Sequence, residues 1–183
     1  MDERKSVRLL SRWRVRVSLV CLVLALLLAK PRIWSLCVGL ALTFLGLALR
    51  TWACGHLEKE KKLAVSGPYR FTRNPLYLGN LVIGTAVAVG AHSLWVWLMV
   101  AVFFLAFYPA VVAAEAKKMK RLFPEEYPEY SRRVPLFFPR IRPPTKTRTL
   151  RFNSTLYRKN REWRALLGAV IFWSLMAGKL LLF

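Results

Sequence analysis

Five mostly apolar runs divide the chain, at about residues 15–29, 33–49, 75–90, 94–114 and 165–183. None alternates with the period of a half-buried strand. Each approaches the roughly 20 residues that a helix needs to cross a bilayer. The first is short, and Trp13, Arg14 and Arg16 can lengthen it by snorkelling to the interface. The pattern therefore predicts an all-α, polytopic integral membrane protein with about five transmembrane helices. Lys30-Pro31 makes a tight connection between the first two helices, and Ala91-His92-Ser93 alone separates the third from the fourth. Gly79, Ala86 and Gly90 fall near one face of the third helix, where a neighbouring helix can approach closely.

The polar stretches between these runs have different characters. Residues 50–66 look interfacial, with Trp52 and Leu57 among glutamates and lysines. Residues 67–79 form the densest cluster of turn, aromatic and basic residues. Gly67-Pro68 is a turn pair. Asn74-Pro75 marks a helix start, with Asn as the cap and Pro at the first helical position. The free N–H groups of that first turn, flanked by Arg70 and Arg73, would make an anion site. A second polar, aromatic segment at 124–130 is broken by Pro124 and Pro128. Residues 139–151 are rich in Pro, Arg and Lys and have the composition of a linker.

Charge adds an orientation and a partner. The chain holds 30 Lys and Arg against 9 Asp and Glu, a formal net charge of +21. This charge lies between apolar runs and not on a polar domain with a nucleic-acid motif. Anionic membrane lipid is the expected partner, and no nucleic acid is expected. Lys and Arg concentrate in residues 1–16, 50–73 and 115–164 and are absent from 91–93. The positive-inside rule then places the N-terminus and both polar, aromatic segments in the cytoplasm, where they could build one composite site. The short loops suggest a bacterial inner membrane. Cys21, Cys37 and Cys54 have no paired spacing, and His56 and His92 have no carboxylate at ligand spacing. No metal site is expected.

Two blocks of residues then become specific. Gly67-Pro68-Tyr69 is followed by Arg73-Asn74-Pro75-Leu76-Tyr77-Leu78-Gly79. After two predicted helices come Glu115-Ala116, Phe123-Pro124-Glu125-Glu126-Tyr127-Pro128-Glu129-Tyr130, Val134-Pro135 and Pro139. Residues 66–139 resemble the isoprenylcysteine carboxyl methyltransferase and phospholipid N-methyltransferase superfamily of integral membrane enzymes. That superfamily reads G-P-Y, R-H-P-x-Y-x-G, two membrane helices, a Glu-Glu pair, F-G-x-x-Y-x-x-Y and V-P-x-x-x-P. The resemblance divides the chain into an N-terminal hairpin and interfacial segment (1–65), a methyltransferase-like core (66–139), and a basic linker with a last transmembrane helix (140–183).

The resemblance implies a methyltransferase that uses S-adenosylmethionine at the membrane face. Its acceptor would be a lipid or a prenyl-linked group. The implied cofactor-binding residues are Tyr69, Arg73, Asn74, Pro75, Tyr77, Leu78, Gly79, Glu115, Tyr127 and Tyr130. Arg73 and the helix start would hold the cofactor carboxylate. Tyr69 or Tyr77 would face the sulfonium. Glu115 would bind the ribose or the amino group, and Glu115 and Arg133 are the candidate catalytic residues, Arg133 by orienting an anionic acceptor. The chain departs from the pattern at three places: Asn74 stands for His, Ala116 for the second Glu, and Pro124 for Gly. Asn74 cannot titrate, which leaves His56 as the remaining imidazole on that side. Two other readings stay open: a basic membrane anchor without catalysis that binds anionic lipid, and a membrane reductase that binds a nicotinamide cofactor on a related scaffold.

Overall fold

The structure, a computed structural model, describes residues 3–141 and 151–182, with residues 3–12 and 182 described by their backbone alone. Most of the predicted linker therefore lies outside the described residues. Among the described residues seven α-helices follow one another: α1 (Glu3–Leu28), α2 (Ile33–Cys54), α3 (Pro75–Ala91), α4 (Leu94–Leu122), α5 (Glu126–Arg133), α6 (Ser154–Lys159) and α7 (Trp163–Leu182). A 3-10 turn covers Gly67–Arg70, and no strand occurs among the described residues. The long helices α1, α2, α3, α4 and α7 occupy the five predicted runs. Three stretches, Ile33–Cys54, Leu94–Leu122 and Trp163–Leu181, are long and apolar enough to cross a membrane by themselves. Helix α3 has 17 residues, a length of about 25 Å against a hydrocarbon core of about 30 Å. The apolar part of α1 is shorter still, because Arg16 lies inside the helix.

Helices α2 and α3 pack most extensively against each other. The small residues explain why. A Cβ placed on Gly46 would sit 3.0 Å from the Gly79 carbonyl oxygen, and one on Gly79 would sit 3.1 Å from the Gly46 carbonyl oxygen. Higher up, a Cβ on Gly39 would meet the Ala86 oxygen and the Gly90 Cα at 3.0 and 3.1 Å. The predicted small face of α3 thus meets a matching small face of α2.

Around this pair the core is Ala25 of α1 and Ala29 just after it, Leu36 of α2, Ala86–Ala88 and Ala91 of α3, Val96 of α4, and Phe172, Trp173 and Met176 of α7. Three polar side chains between the long helices have partners. Trp173 Nε1 donates to Thr43 Oγ1 at 3.0 Å. Ser35 Oγ donates to the Gly90 carbonyl at 3.1 Å. Lys179 Nζ donates to the carbonyls of Leu26 and Leu27, both at 2.8 Å, and so caps the C-terminal end of α1. Leu19, Ile33, Phe44, Leu105 and Leu181 are among the large apolar side chains left on the outside. An apolar exterior over helices whose backbone polar groups are paired within the helix is what a lipid solvent demands.

The segment around 124–130 is more regular than its prolines suggest. Glu126–Arg133 is helical, and Pro128 stands third in it. A proline there removes an N–H that has no intrahelical acceptor in any case. Helix α6 is capped by Asn153, whose Oδ1 accepts from the N–H groups of Thr155 and Leu156.

Candidate functional site

The two polar segments meet. Tyr130 Oη donates to the Tyr69 carbonyl at 2.8 Å, and Arg73 Nη1 donates to Tyr127 Oη at 2.9 Å. The chain after α5 then runs along the first block. The Arg73 N–H donates to the Pro135 carbonyl at 2.9 Å, Thr72 Oγ1 to the Phe137 carbonyl at 2.7 Å, and the Arg140 N–H to the Phe71 carbonyl at 3.0 Å. The V-P-x-x-x-P stretch is therefore a strap that holds the turn before α3. Tyr127, Tyr130 and Val134 form a small core of their own, packed against Leu63, Val65, Ala116, Met119 and Phe123. Ala116, where the superfamily has a second Glu, packs on this aromatic cluster.

The joined segments wall a cavity of about 390 Å³, within the usual size range of small-molecule sites. Of the residues expected there, Tyr69, Arg73, Asn74, Pro75, Tyr77, Glu115, Tyr127 and Tyr130 line it. Glu115 and Arg73, two helices apart in sequence, face one space. Burial pushes the Tyr69 and Tyr130 phenols well above the ordinary tyrosine value, so both stay neutral donors. The Lys118 ammonium, 2.5 Å from the Glu60 carboxylate, holds that carboxyl below its ordinary value. Six cationic side chains (Arg14, Arg50, Lys59, Lys62, Arg73, Lys118) and two carboxylates (Glu60, Glu115) line the cavity. The wall carries an excess of positive charge.

Four expectations need correction. Gly79 faces α2, where Arg50 Cγ would stand 2.5 Å from an added Cβ, so its role is helix packing. Leu78 lies outside the cavity, and its neighbour Leu76 lines it. Arg133 also lies outside, half exposed and paired with Glu129 at 2.5 Å one helical turn away. Asn74 occupies the N-cap position, but its side chain makes no cap hydrogen bond. Its Nδ2 instead donates to the Leu136 carbonyl at 2.9 Å. The strap offers a carbonyl, and the amide spends its donor there. His56 lies outside the cavity wall, with Nδ1 2.9 Å from the Trp52 carbonyl oxygen and its ring edge toward Phe152.

The structure adds residues to the wall that the motifs do not contain. Arg50 forms a two-pronged ion pair with the buried Glu162, Nε to Oε1 at 2.5 Å and Nη2 to Oε2 at 2.9 Å. Its Nη1 donates to Asn80 Oδ1. Cys54 Sγ donates to the same glutamate at 3.3 Å. Asn160 Nδ2 donates to the carbonyls of Cys54 and Leu57, so residues 153–162 are fastened to the end of α2. Arg14 does not snorkel outward. Its guanidinium lies over the Tyr77 ring, 5.6 Å from the centroid, and its Nη1 is buried without a hydrogen-bond partner. Arg73 Nε is likewise buried and unpartnered. One sequence signal pointed to Arg14 and Arg50: a charged residue inside an apolar helix is expensive unless it faces a partner or a site.

Comparison with known proteins gives the family of the chain. The family model for phospholipid methyltransferase matches residues 34–126. The chain is 36% identical over 138 residues to the cobalt-zinc-cadmium resistance protein CzcN of Cupriavidus metallidurans, covering 70% of this chain and 62% of that protein. It is 33% identical over 138 residues to the nickel-cobalt-cadmium resistance protein NccN of Alcaligenes xylosoxydans xylosoxydans, covering 70% of this chain and 63% of that protein. The chain thus spans less than two thirds of the length of these relatives. No solved structure matches it. With its all-helical membrane architecture and its match to residues 34–126, the chain belongs to the phospholipid methyltransferase family, within the isoprenylcysteine carboxyl methyltransferase-like superfamily of membrane methyltransferases.

Proposed function

We propose that this protein is a methyltransferase of the bacterial inner membrane that uses S-adenosylmethionine and modifies a lipid or lipid-linked acceptor on the cytoplasmic side. The observation that carries the reading is the meeting of Arg73, Tyr77, Glu115 and Tyr127 on one cavity wall. The donor set suits the cofactor. Arg73, with a buried unpartnered Nε, and the start of α3 would receive its carboxylate. Glu115 would accept from its amino group or ribose hydroxyls. The rings of Tyr69 and Tyr77 would lie beside the positive sulfur. When bound, the cofactor supplies an activated methyl group, and the protein's part is alignment and exclusion of water. With Asn74 at the superfamily's His position and neutral tyrosines around it, the cavity wall offers no imidazole as a base. That favours an acceptor already nucleophilic at neutral pH.

The relatives' names favour a second, compatible reading, a contribution to metal resistance. Among the described residues no three His, Cys, Asp or Glu side chains come together as a metal site. A contribution of this kind would therefore run through modification of the membrane. Thermal unfolding of the purified protein tests the first reading. S-adenosylmethionine at about one hundred times its Kd should stabilise the fold by about 2.7 kcal/mol. Stabilisation by NADPH alone would favour a reductase, and stabilisation by neither would favour the basic anchor. Membranes incubated with methyl-labelled cofactor should yield a labelled lipid whose identity names the acceptor.

A further inference from the structure

The stretch from Arg151 to Arg164 lies on the end of α2 and leads into the start of α7, and both helices are long and apolar enough to cross a membrane. Its inner face is fastened to α2. The Asn153 N–H donates to the Gly55 carbonyl at 3.0 Å. The Phe152 ring lies where a Cβ on Gly55 would stand. Asn160 Nδ2 donates to the Cys54 and Leu57 carbonyls at 3.1 and 3.0 Å, and Glu162 pairs with Arg50. Arg50 and Leu57 both belong to the cavity wall. The outer face has another character. Arg151, Arg158, Lys159, Arg161 and Arg164 are all exposed. The single carboxylate of the stretch, Glu162, is buried and spent on Arg50. Phe152 and Trp163 stand half exposed among these cations, with the Arg164 guanidinium over the Trp163 ring, 5.6 Å from its centroid. Like charges gathered on so short a stretch repel one another and work against its compact state until a counter-charge is supplied.

We infer that residues 151–164 form a docking surface for the anionic headgroups of the surrounding leaflet, and that these lipids steady the cavity wall from outside. The place of the surface argues for lipid over a soluble partner. Two spans hold it where the hydrocarbon ends, and aromatic rings among arginines and lysines are the side chains that settle at that depth. Phosphodiester headgroups supply the counter-charge, and each cation near such a surface adds about a fivefold gain in attraction. None of the five cations lines the cavity, so the bound lipid is a neighbour and not the group the cavity acts on. The coupling follows from the two faces of the stretch. Relief of repulsion outside holds the inner face against α2, and the inner face holds Arg50 and Leu57. A ligand that prefers this fastened state raises its population, and with it the affinity for whatever the cavity binds. The lipid surface stands without the methyltransferase reading. The coupling rests on that reading for its probe, S-adenosylmethionine.

The test uses the full chain in nanodiscs of phosphatidylcholine, alone or in equal mixture with phosphatidylglycerol. Mass spectrometry counts the lipid retained after transfer from the mixture to detergent. The native protein should retain phosphatidylglycerol over phosphatidylcholine by at least about fivefold. Arg158→Gln/Lys159→Gln should lose most of that enrichment, and so should Arg151→Gln/Arg161→Gln. Lys120→Gln/Arg132→Gln removes the same charge elsewhere and should keep it. In phosphatidylcholine alone the first two pairs should melt no earlier than the native protein, because each removes like charges that repel. S-adenosylmethionine should bind the native protein at least about fivefold more tightly in the mixed nanodiscs. That gain should vanish in the first two pairs and persist in the third. No enrichment in the native protein, or equal enrichment in all three pairs, overturns the surface. Inorganic phosphate that raises the melting temperature as much as phosphatidylglycerol does would also overturn it, in favour of a soluble anion. Enrichment with a cofactor affinity indifferent to lipid rejects the coupling. Enrichment in a protein that binds no S-adenosylmethionine upholds the surface and rejects the methyltransferase. Cofactor binding without enrichment does the reverse.

Discussion

The Arg73 guanidinium donates to Tyr127 through Nη1 while its Nε stays buried and unpaired. That division lets one residue brace the aromatic cluster and still receive an anion. Arg73→Ala should weaken S-adenosylmethionine binding by about 1.5–3 kcal/mol, the range for a hydrogen bond to a charged group. Titration calorimetry on the folded variant checks this, and unchanged affinity would reject the contact. Asn74 acts differently from a cap. Asn74→Ala removes a tether to Leu136, a loss of about 0.5–1.5 kcal/mol in melting experiments. An amide adds no ionisation to a pH–rate profile. Asn74→His should therefore add one if the imidazole faces the reacting groups, and should leave the profile unchanged if it only replaces the tether.

Helix α3 positions half of the site, and its place depends on backbone contact with α2. Gly46 and Gly79 each lie against the other's carbonyl oxygen. Gly46→Leu would drive a side chain into Ile83 and the α3 backbone, and overpacking of this kind costs about 1–3 kcal/mol. The melting temperature should fall, and cofactor affinity should fall with it, because α3 starts at the site. A variant that melts early yet binds normally would separate the two. Helix α5 and its strap do the complementary work. They bring Tyr127 and Tyr130 to the turn before α3 and fix that turn by backbone hydrogen bonds.

At the scale of the molecule, the end of the chain completes the site from outside the motif region. Glu162, in the connection between α6 and α7, balances Arg50 in a setting where both side chains are largely buried. Glu162→Ala should cost about 3–5 kcal/mol, because it leaves a buried charge unpaired. A paired Arg50→Met/Glu162→Leu variant should recover much of that stability, and denaturation of the three variants in detergent tests it. The membrane orientation is a separate prediction. In a background with Cys21, Cys37 and Cys54 replaced, an impermeant thiol reagent added to intact cells should label Ser93→Cys and spare Glu126→Cys. The opposite pattern would turn the cavity to the outer face and remove its access to cytoplasmic S-adenosylmethionine.

The five helices were legible because their runs of apolar residues fit a lipid solvent, and the start of α3 because Asn-Pro permits little else there. The family resemblance carried by the two blocks also named eight residues that line the cavity, Arg73 and Glu115 among them. Where a residue points was beyond the pattern. Gly79 and Leu78 stand in the same motif as Tyr77, yet a helix turns each neighbour by about 100°, so they face other surroundings. Arg14 and Glu162 are far from the motifs in sequence and carry charges that could equally have been solvated. Only the packing of α1 over α3, and of the α6–α7 connection against α2, decided that the Arg14 guanidinium lies over Tyr77 beside the cavity and that Glu162 neutralises Arg50. A charge near a membrane surface can turn either way at small cost, so its direction is settled by the neighbours that the fold supplies.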